Sequence, residues 1–234
     1  MRIIQLKFKN DKTDYLLSGT CAVGVIIFPE LIITINLGDS RAVLGNIEVS
    51  DGRAVSKMAI EISTDHKPFR ESEKERILKA GGKIERQKSP YDDKEVGPLR
   101  VWKSEDEGPG IAITRSIGDC LAHTIGVSVD PEITFRFREQ GDKFVVLGSD
   151  GVWDVMTSAE VVGFVLNCEK KEETAKKLVA ECRERWDLLN EIKKKQTQSI
   201  LDNTETDKRK IAEKMTQLGK NLVCDDITVI VVFL

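Results

Sequence analysis

Apolar positions fall into two regimes along the chain. In the first half they come in short, closely spaced runs: CAVGVIIF (21–28), LIITIN (31–36) and RAVLGNI (41–47). Pro29-Glu30 and Gly38-Asp39-Ser40 punctuate them. Links this short predict antiparallel strands, because a parallel crossover needs a dozen residues or more. RAVSKMAIEIS (53–63) extends the pattern past the turn Asp51-Gly52, and ESEKERILKAGG (71–82) predicts a helix, acidic at its start and stopped by glycine. From about 86 to 110 the chain is polar and predicts loops, with PLRVW as the one candidate strand. EITFRFRE (132–139) alternates as a half-exposed strand does, and Val145, Val146 and Leu147 suit a strand buried on both faces.

Helical spacing takes over afterwards. Thr157-Ser158-Ala159-Glu160 has the pattern of a capping box opening SAEVVGFVLN, and EETAKKLVAECRERWDLLNEIKKK follows with apolar residues on one side. Residues 193–220 are charged and polar, as a solvated helix or loop is, and receive no function. DITVIVVFL (226–234) predicts a last apolar strand. That many strands beside several helices predict an α+β fold, a two-sheet sandwich with helices outside. With no G-x-G-x-x-G after a strand and no P-loop, a dinucleotide-binding fold is not expected.

Composition narrows the chemistry. At 234 residues the chain suits one domain, residues 1–234, and its 40% apolar and 32% charged residues are ordinary for a globular chain. A net charge of −3 gives no electrostatic reason to bind nucleic acid. No apolar run approaches the ~18 residues of a membrane span, and the start lacks a signal-peptide core. An intracellular protein, cytoplasmic or nuclear, is therefore expected. The five cysteines form no C-x-x-C pair, which argues against zinc and disulfides. With only His66 and His123 available, any metal must be held by oxygen.

Oxygen donors stand at strand ends. Asp39 lies in NLGDSRAVL, Asp65 in STDHKP, Asp150 and Asp154 in VVLGSDGVWDVM, and Asp225-Asp226 in VCDDITVIVV. A single Asp of this kind usually fixes its own turn. Several together suggest carboxylates gathered at one sheet end, where mutual repulsion favours a hard divalent cation.

In order, SGTCAV, NLGDSRAVL, STDHKP, ERILKAGG, RVW, GPGIAITRSIGD, VDPEI, FVVLGSDGVWDVMTSAEVV and CDDITVIVV run through almost the whole chain. This set resembles the metal-dependent PPM, or type 2C, Ser/Thr protein phosphatases, plant and protist members most of all. The resemblance implies an αββα sandwich of two antiparallel sheets. It implies a binuclear Mg²⁺ or Mn²⁺ centre and phosphoserine or phosphothreonine substrates in proteins, meeting solvent beside the 86–110 flap. Asp150 and Asp225 match family ligands of a catalytic ion. Asp65 and Asp154 match ligands of a weaker third ion that shares Asp150. A metal-activated water would attack phosphorus in line, and no cysteine sits in a C-x5-R loop that would supply a nucleophile instead.

Other residues carry local readings. Asp39-Ser40-Arg41 is expected to be a turn with an ion pair, and His66 to bond locally. Arg115 and Asp119 are expected to shape a rim, and Trp102, Trp153 and Trp186 to lie in the core. Asp226 stands where the family usually has Asn. The family's upstream R-x-x-M-E-D and D-G-H-G-G stretches, with their catalytic Arg and His, do not occur here. The chain is thus expected to lack the family's N-terminal strands and helices, and to expose an apolar face that favours association. Three readings stay open. The chain is a truncated active phosphatase, a catalytically inactive phosphatase-like binding module, or a part completed by a separate N-terminal piece.

Overall fold

The computed structural model describes residues 16–50, 53–88, 95–103, 108–202 and 224–234. The expected turn at 51–52 and most of the polar tract near 193–220 lie outside them. The chain divides into two compact units, Met1–Leu147 with Phe233–Leu234, and Gly148–Val232.

The first unit opens with β1 (Gly19–Thr20), β2 (Ala22–Ile27), β3 (Leu31–Leu37), β4 (Arg41–Ser50) and β5 (Arg53–Glu61). Then come α1 (Glu71–Lys79), β6 (Lys83–Lys88), β7 (Glu95–Trp102), β8 (Pro109–Ile111) and β9 (Ile117–Gly118). The short helix α2 (Cys120–His123), β10 (Glu132–Phe137) and β11 (Asp142–Gly148) follow. As the spacing predicts, β2 pairs antiparallel with β3, and β10, distant in sequence, pairs antiparallel along the other edge of β3, giving the order β10-β3-β2. The side chains of β3 alternate: Ile32, Thr34 and Asn36 are buried, whereas Leu31, Ile33 and Ile35 are half-buried.

A second sheet places β4 between β11 and β5, with β4 and β5 antiparallel. Ile32, Ala42, Leu44, Ile62 and Val145 form one core cluster. The isoleucine, leucine and valine side chains each contribute roughly 1.5–3 kcal/mol by leaving water. Val145 and Val146 are both fully buried, so β11 is covered on both faces, which its unbroken apolar run predicts. The chain end joins this sheet: the Leu234 N–H donates to the Lys143 carbonyl (2.9 Å). The Phe233 ring packs 6.0 Å from that of Phe144.

The tract from 86 to 110 departs from its expectation. It holds a three-stranded antiparallel sheet, β6-β7-β8, with PLRVW forming only the end of β7. KIERQK carries no apolar alternation, so the strand is hidden from pattern reading. Val101 is its buried anchor, in a second core cluster with Ile77, Ala122, Ile125 and Val127. The hairpin is fastened by polar side chains instead: Arg100 donates to the Gly110 carbonyl (2.6 Å) and Trp102 to the Glu85 carbonyl (3.1 Å). The predicted helix at 71–82 stops at Lys79, where Gly81 takes φ +84° and the Gly82 N–H returns to the Ile77 carbonyl.

The second unit holds α3 (Asp150–Trp153), α4 (Ser158–Leu166), a 3-10 turn at Lys171–Glu173, α5 (Thr174–Asp202) and all but the last residue of β12 (Val229–Phe233). The capping box is present. The Glu160 N–H donates to Thr157 Oγ1 (3.2 Å), and Glu160 Oε2 accepts from the Thr157 N–H (2.8 Å). Arg185 of α5 ties Glu160 (2.7 Å) to the Val155 carbonyl (3.2 Å) above buried Cys182 and Leu178. The tryptophans are not core residues. All three are half-buried, and each indole N–H donates to a carbonyl at the edge of the packing. Among the described residues no helix is long and apolar enough to cross a membrane.

Candidate metal centre

The apolar run of β11 ends at Gly148, and Ser149 turns the chain with extended backbone (φ −72°, ψ 170°). Asp150 opens α3, half-buried, and its Oδ1 accepts from the Gly151 N–H (2.9 Å). One helical turn on, the Asp154 N–H donates to the Asp150 carbonyl (2.9 Å), leaving the Asp154 side chain exposed. The two carboxylates therefore lie on one short helix.

A second loop runs alongside. The Ser149 N–H donates to the Thr228 carbonyl (3.1 Å). Ser149 Oγ donates to the Asp226 carbonyl (2.8 Å) and accepts from the Thr228 N–H (3.0 Å). Three hydrogen bonds from one serine thus hold the SDG turn against the CDDIT segment. Asp150 and Asp225 each lie one residue from the Ser149–Asp226 link. Asp225 is exposed, with Oδ1 accepting from the Asp226 N–H (2.8 Å).

Gly151 makes this approach possible. A Cβ there would stand 2.7 Å from the Asp226 carbonyl oxygen, closer than any side chain tolerates. Trp186 fixes the same residue from behind by donating to its carbonyl (2.8 Å). Gly151→Val is expected to push the 224–228 segment away and raise the Mn²⁺ concentration needed for half-saturation by roughly 10–100-fold, the range for disturbed outer-shell contacts. Mn²⁺ titration checks it, and an unchanged half-saturation point would refute it.

The donors here are carboxylate oxygens, which suit Mg²⁺ and Mn²⁺. Among the described residues no group of three or more His, Cys, Asp or Glu side chains is arranged to hold an ion. An ion at this turn would thus combine Asp150 and Asp225 with water, and Mg²⁺ commonly keeps several waters.

Asp65 lies in the first unit. Its two oxygens accept from Arg41 Nε (2.9 Å) and Nη2 (2.8 Å) in a bidentate fork, and Arg41 also reaches Glu61 (3.1 Å). Beside it, Lys67 pairs with Asp39 (2.5 Å), which also receives the Cys21 thiol (3.1 Å). The turn at 39–41 is therefore braced by ion pairs on both sides, as expected. His66 is fully buried: the Gly38 N–H donates to its Nδ1 (3.0 Å), and its Nε2 faces Glu132 (3.2 Å). Burial, and then the Arg115 guanidinium, push the His66 pKa below its usual value. Glu132 is held below the usual carboxylate range, first by its fork to Arg70 (2.6 and 2.8 Å).

Sequence reading missed the most deeply buried carboxylate. Glu73 of α1 is fully buried and accepts from Arg76 (2.9 and 2.6 Å), Arg115 (2.7 Å) and the Thr114 hydroxyl (2.7 Å). Burial works to raise its pKa, but these bonds outweigh it and hold the carboxyl well below the ordinary range. The signal was its place one helical turn before buried Ile77, on the inward side of α1. Arg115 is thus a clasp, and it also donates to the Asp130 carbonyl (2.8 Å). Asp119 is buried in the left-handed region (φ 43°), the one non-glycine there among the described residues.

A family model described as protein phosphatase 2C matches residues 3–186. "Probable protein phosphatase 2C 48" of Oryza sativa subsp. japonica is 35% identical over 175 residues, 75% of this chain and 48% of that protein. "Probable protein phosphatase 2C 73" of Arabidopsis thaliana is 37% identical over 175 residues, 75% of this chain and 44% of that protein. The chain thus spans less than half the length of these curated relatives. Among solved structures, serine-threonine phosphatase 2C from Toxoplasma gondii matches with a TM-score of 0.65 at 21% identity, covering 99% of this chain and 61% of that one. At that identity the likeness is one of fold, and it agrees with the α+β class expected.

Proposed function

Since the chain belongs to the protein phosphatase 2C family, we propose that it serves the metal-dependent hydrolysis of phosphoserine and phosphothreonine in proteins. Asp150 and Asp225 hold a Mg²⁺ or Mn²⁺ ion in this reading, with Asp154 one turn from Asp150. The observation that carries it is the Ser149 ladder, which fastens two carboxylate-bearing loops side by side without using either carboxylate. A divalent ion bound there supplies an acidified water and neutralises charge on the phosphoryl oxygens. The chain's own residues do the holding. Ser149 fixes loop spacing, Gly151 lets the backbones meet, and the two carboxylates provide hard anionic donors. Asp65 would serve an ion only by giving up its fork to Arg41, so the proposal does not depend on it.

The test is metal removal. Purified protein stripped with EDTA is expected to lose hydrolysis of a phosphothreonine peptide and regain it with added Mn²⁺ or Mg²⁺. Turnover that survives chelation would sink the reading. No turnover at any Mn²⁺ concentration would sink it too, in favour of a phosphoprotein-binding module.

A further inference from the structure

Two indoles grip the turn that carries Asp150. The Trp153 N–H donates to the Gly148 carbonyl (2.8 Å), and the Trp186 N–H donates to the Gly151 carbonyl (2.8 Å). The backbone on both sides of Ser149-Asp150 is thus held by a ring N–H, and all these residues belong to the second unit. The first bond depends on Gly148, because a Cβ there would stand 3.0 Å from the Trp153 ring. The second supplies a donor that the helix withholds. In a longer helix the Val155 N–H would meet the Gly151 carbonyl, but here it turns to the Val152 carbonyl (3.2 Å). Trp186 is itself anchored by α5. Cys182, Arg185 and Trp186 follow helical spacing along one side of it. Cys182 meets Met156 Sδ (3.7 Å) and Arg185 the Val155 carbonyl (3.2 Å).

We propose that Trp153 and Trp186 are positioning residues for the ion at Asp150, and that the indole N–H, not the bulk of the ring, carries the effect. This rests on the reading of Asp150 and Asp225 as ion ligands. A ligand holds its ion tightly when neighbouring bonds fix its direction beforehand. Asp150 Oδ1 accepts from the Gly151 N–H (2.9 Å), so any shift of Gly151 moves the partner of that oxygen. The Trp186 bond restrains that shift, and the Trp153 bond restrains the chain where it enters the turn.

Calorimetric titration of the metal-stripped, substrate-free protein with Mn²⁺ tests the proposal, beside urea midpoints measured without metal. Trp153→Phe and Trp186→Phe keep an aromatic ring and lose the N–H. Each is expected to raise the Mn²⁺ Kd roughly 10-fold or more, within the 10–100-fold range of lost outer-shell contacts. A merely structural role would lower the urea midpoint and leave the Kd where it was. The tryptophan analogue benzothienylalanine has nearly the shape of indole, with sulfur in place of the N–H. At position 186 it is expected to raise the Kd equally while keeping the wild-type circular dichroism, and it decides the matter should Phe fail to fold there. Trp102→Phe removes the same kind of donor from the Glu85 carbonyl (3.1 Å) in the first unit, and is expected to leave the Kd unchanged. A wild-type Kd for the analogue or for Trp153→Phe, while Asp150→Asn loses binding, overturns this proposal alone. An equal rise in Trp102→Phe overturns it as well. A wild-type protein that takes up no Mn²⁺, or Asp150→Asn binding as tightly as wild type, overturns the reading of the ion site and this proposal with it.

Discussion

Asp150→Asn is expected to lower phosphopeptide hydrolysis by roughly 100-fold or more, exceeding the 10–100-fold that outer-shell partners carry. Asn keeps the size of Asp and can still accept from the Gly151 N–H, so the one-turn helix α3 persists. What disappears is one negative oxygen donor from the proposed ion site, which has few. The defect should therefore appear as a higher Mn²⁺ requirement together with a lower limiting rate, without a change in unfolding midpoint. Asp226→Asn is the matched control: its backbone carbonyl, not its side chain, meets Ser149. Less than a tenfold effect is expected there. Equal losses in the two variants would mean that general charge, not ligation, governs the rate.

Glu73→Ala should be the most destabilising single change, at about 3–5 kcal/mol, because it strands two arginines around a buried void. Arg76 and Arg115 both lose their carboxylate, and Thr114 loses its acceptor. The urea midpoint at pH 7 measures this. Glu73→Gln adds a pH signature whose sign follows from the depressed folded pKa. A carboxylate stabilised in the native state contributes fully above the unfolded pKa, near 4.5, and progressively less as pH falls toward the folded value. The gap in stability between wild type and Glu73→Gln should therefore be widest at neutral pH and shrink below about pH 4.5. A gap that stays constant down to pH 3 would show that shape, not charge, is what the site requires.

How much of this the sequence discloses depends on the range of the cause. The strands β2, β3 and β10 follow from alternation and short links, and the Thr157 capping box from residues three apart. Both are local. By contrast, β6 is charged along its length and is held by pairing with β7, so nothing within the strand announces it. The tryptophans were misplaced because an indole is large and apolar yet carries a donor, and here the donor decides depth. At the candidate site, Asp150 and Asp225 stood out by motif. The serine that joins their loops gave no sign, since its partners lie 77 and 79 residues away. Likewise the Arg41 fork on Asp65 spans 24 residues and becomes visible only when the chain has folded.

Ser18–Thr20 and Ser116–Asp119 meet with almost no space between them. Gly19 pairs with Gly118, and a Cβ at Gly19 would fall 1.9 Å from an Asp119 carboxylate oxygen. One at Gly118 would fall 2.3 Å from the Ser18 carbonyl oxygen. The two strands behave as a lock and its key cut from one chain. Anyone grafting loops, recombining homologous genes or building mutant libraries must exchange both segments in the same move, because a crossover point falling between residues 20 and 116 would mate halves that were never shaped for each other.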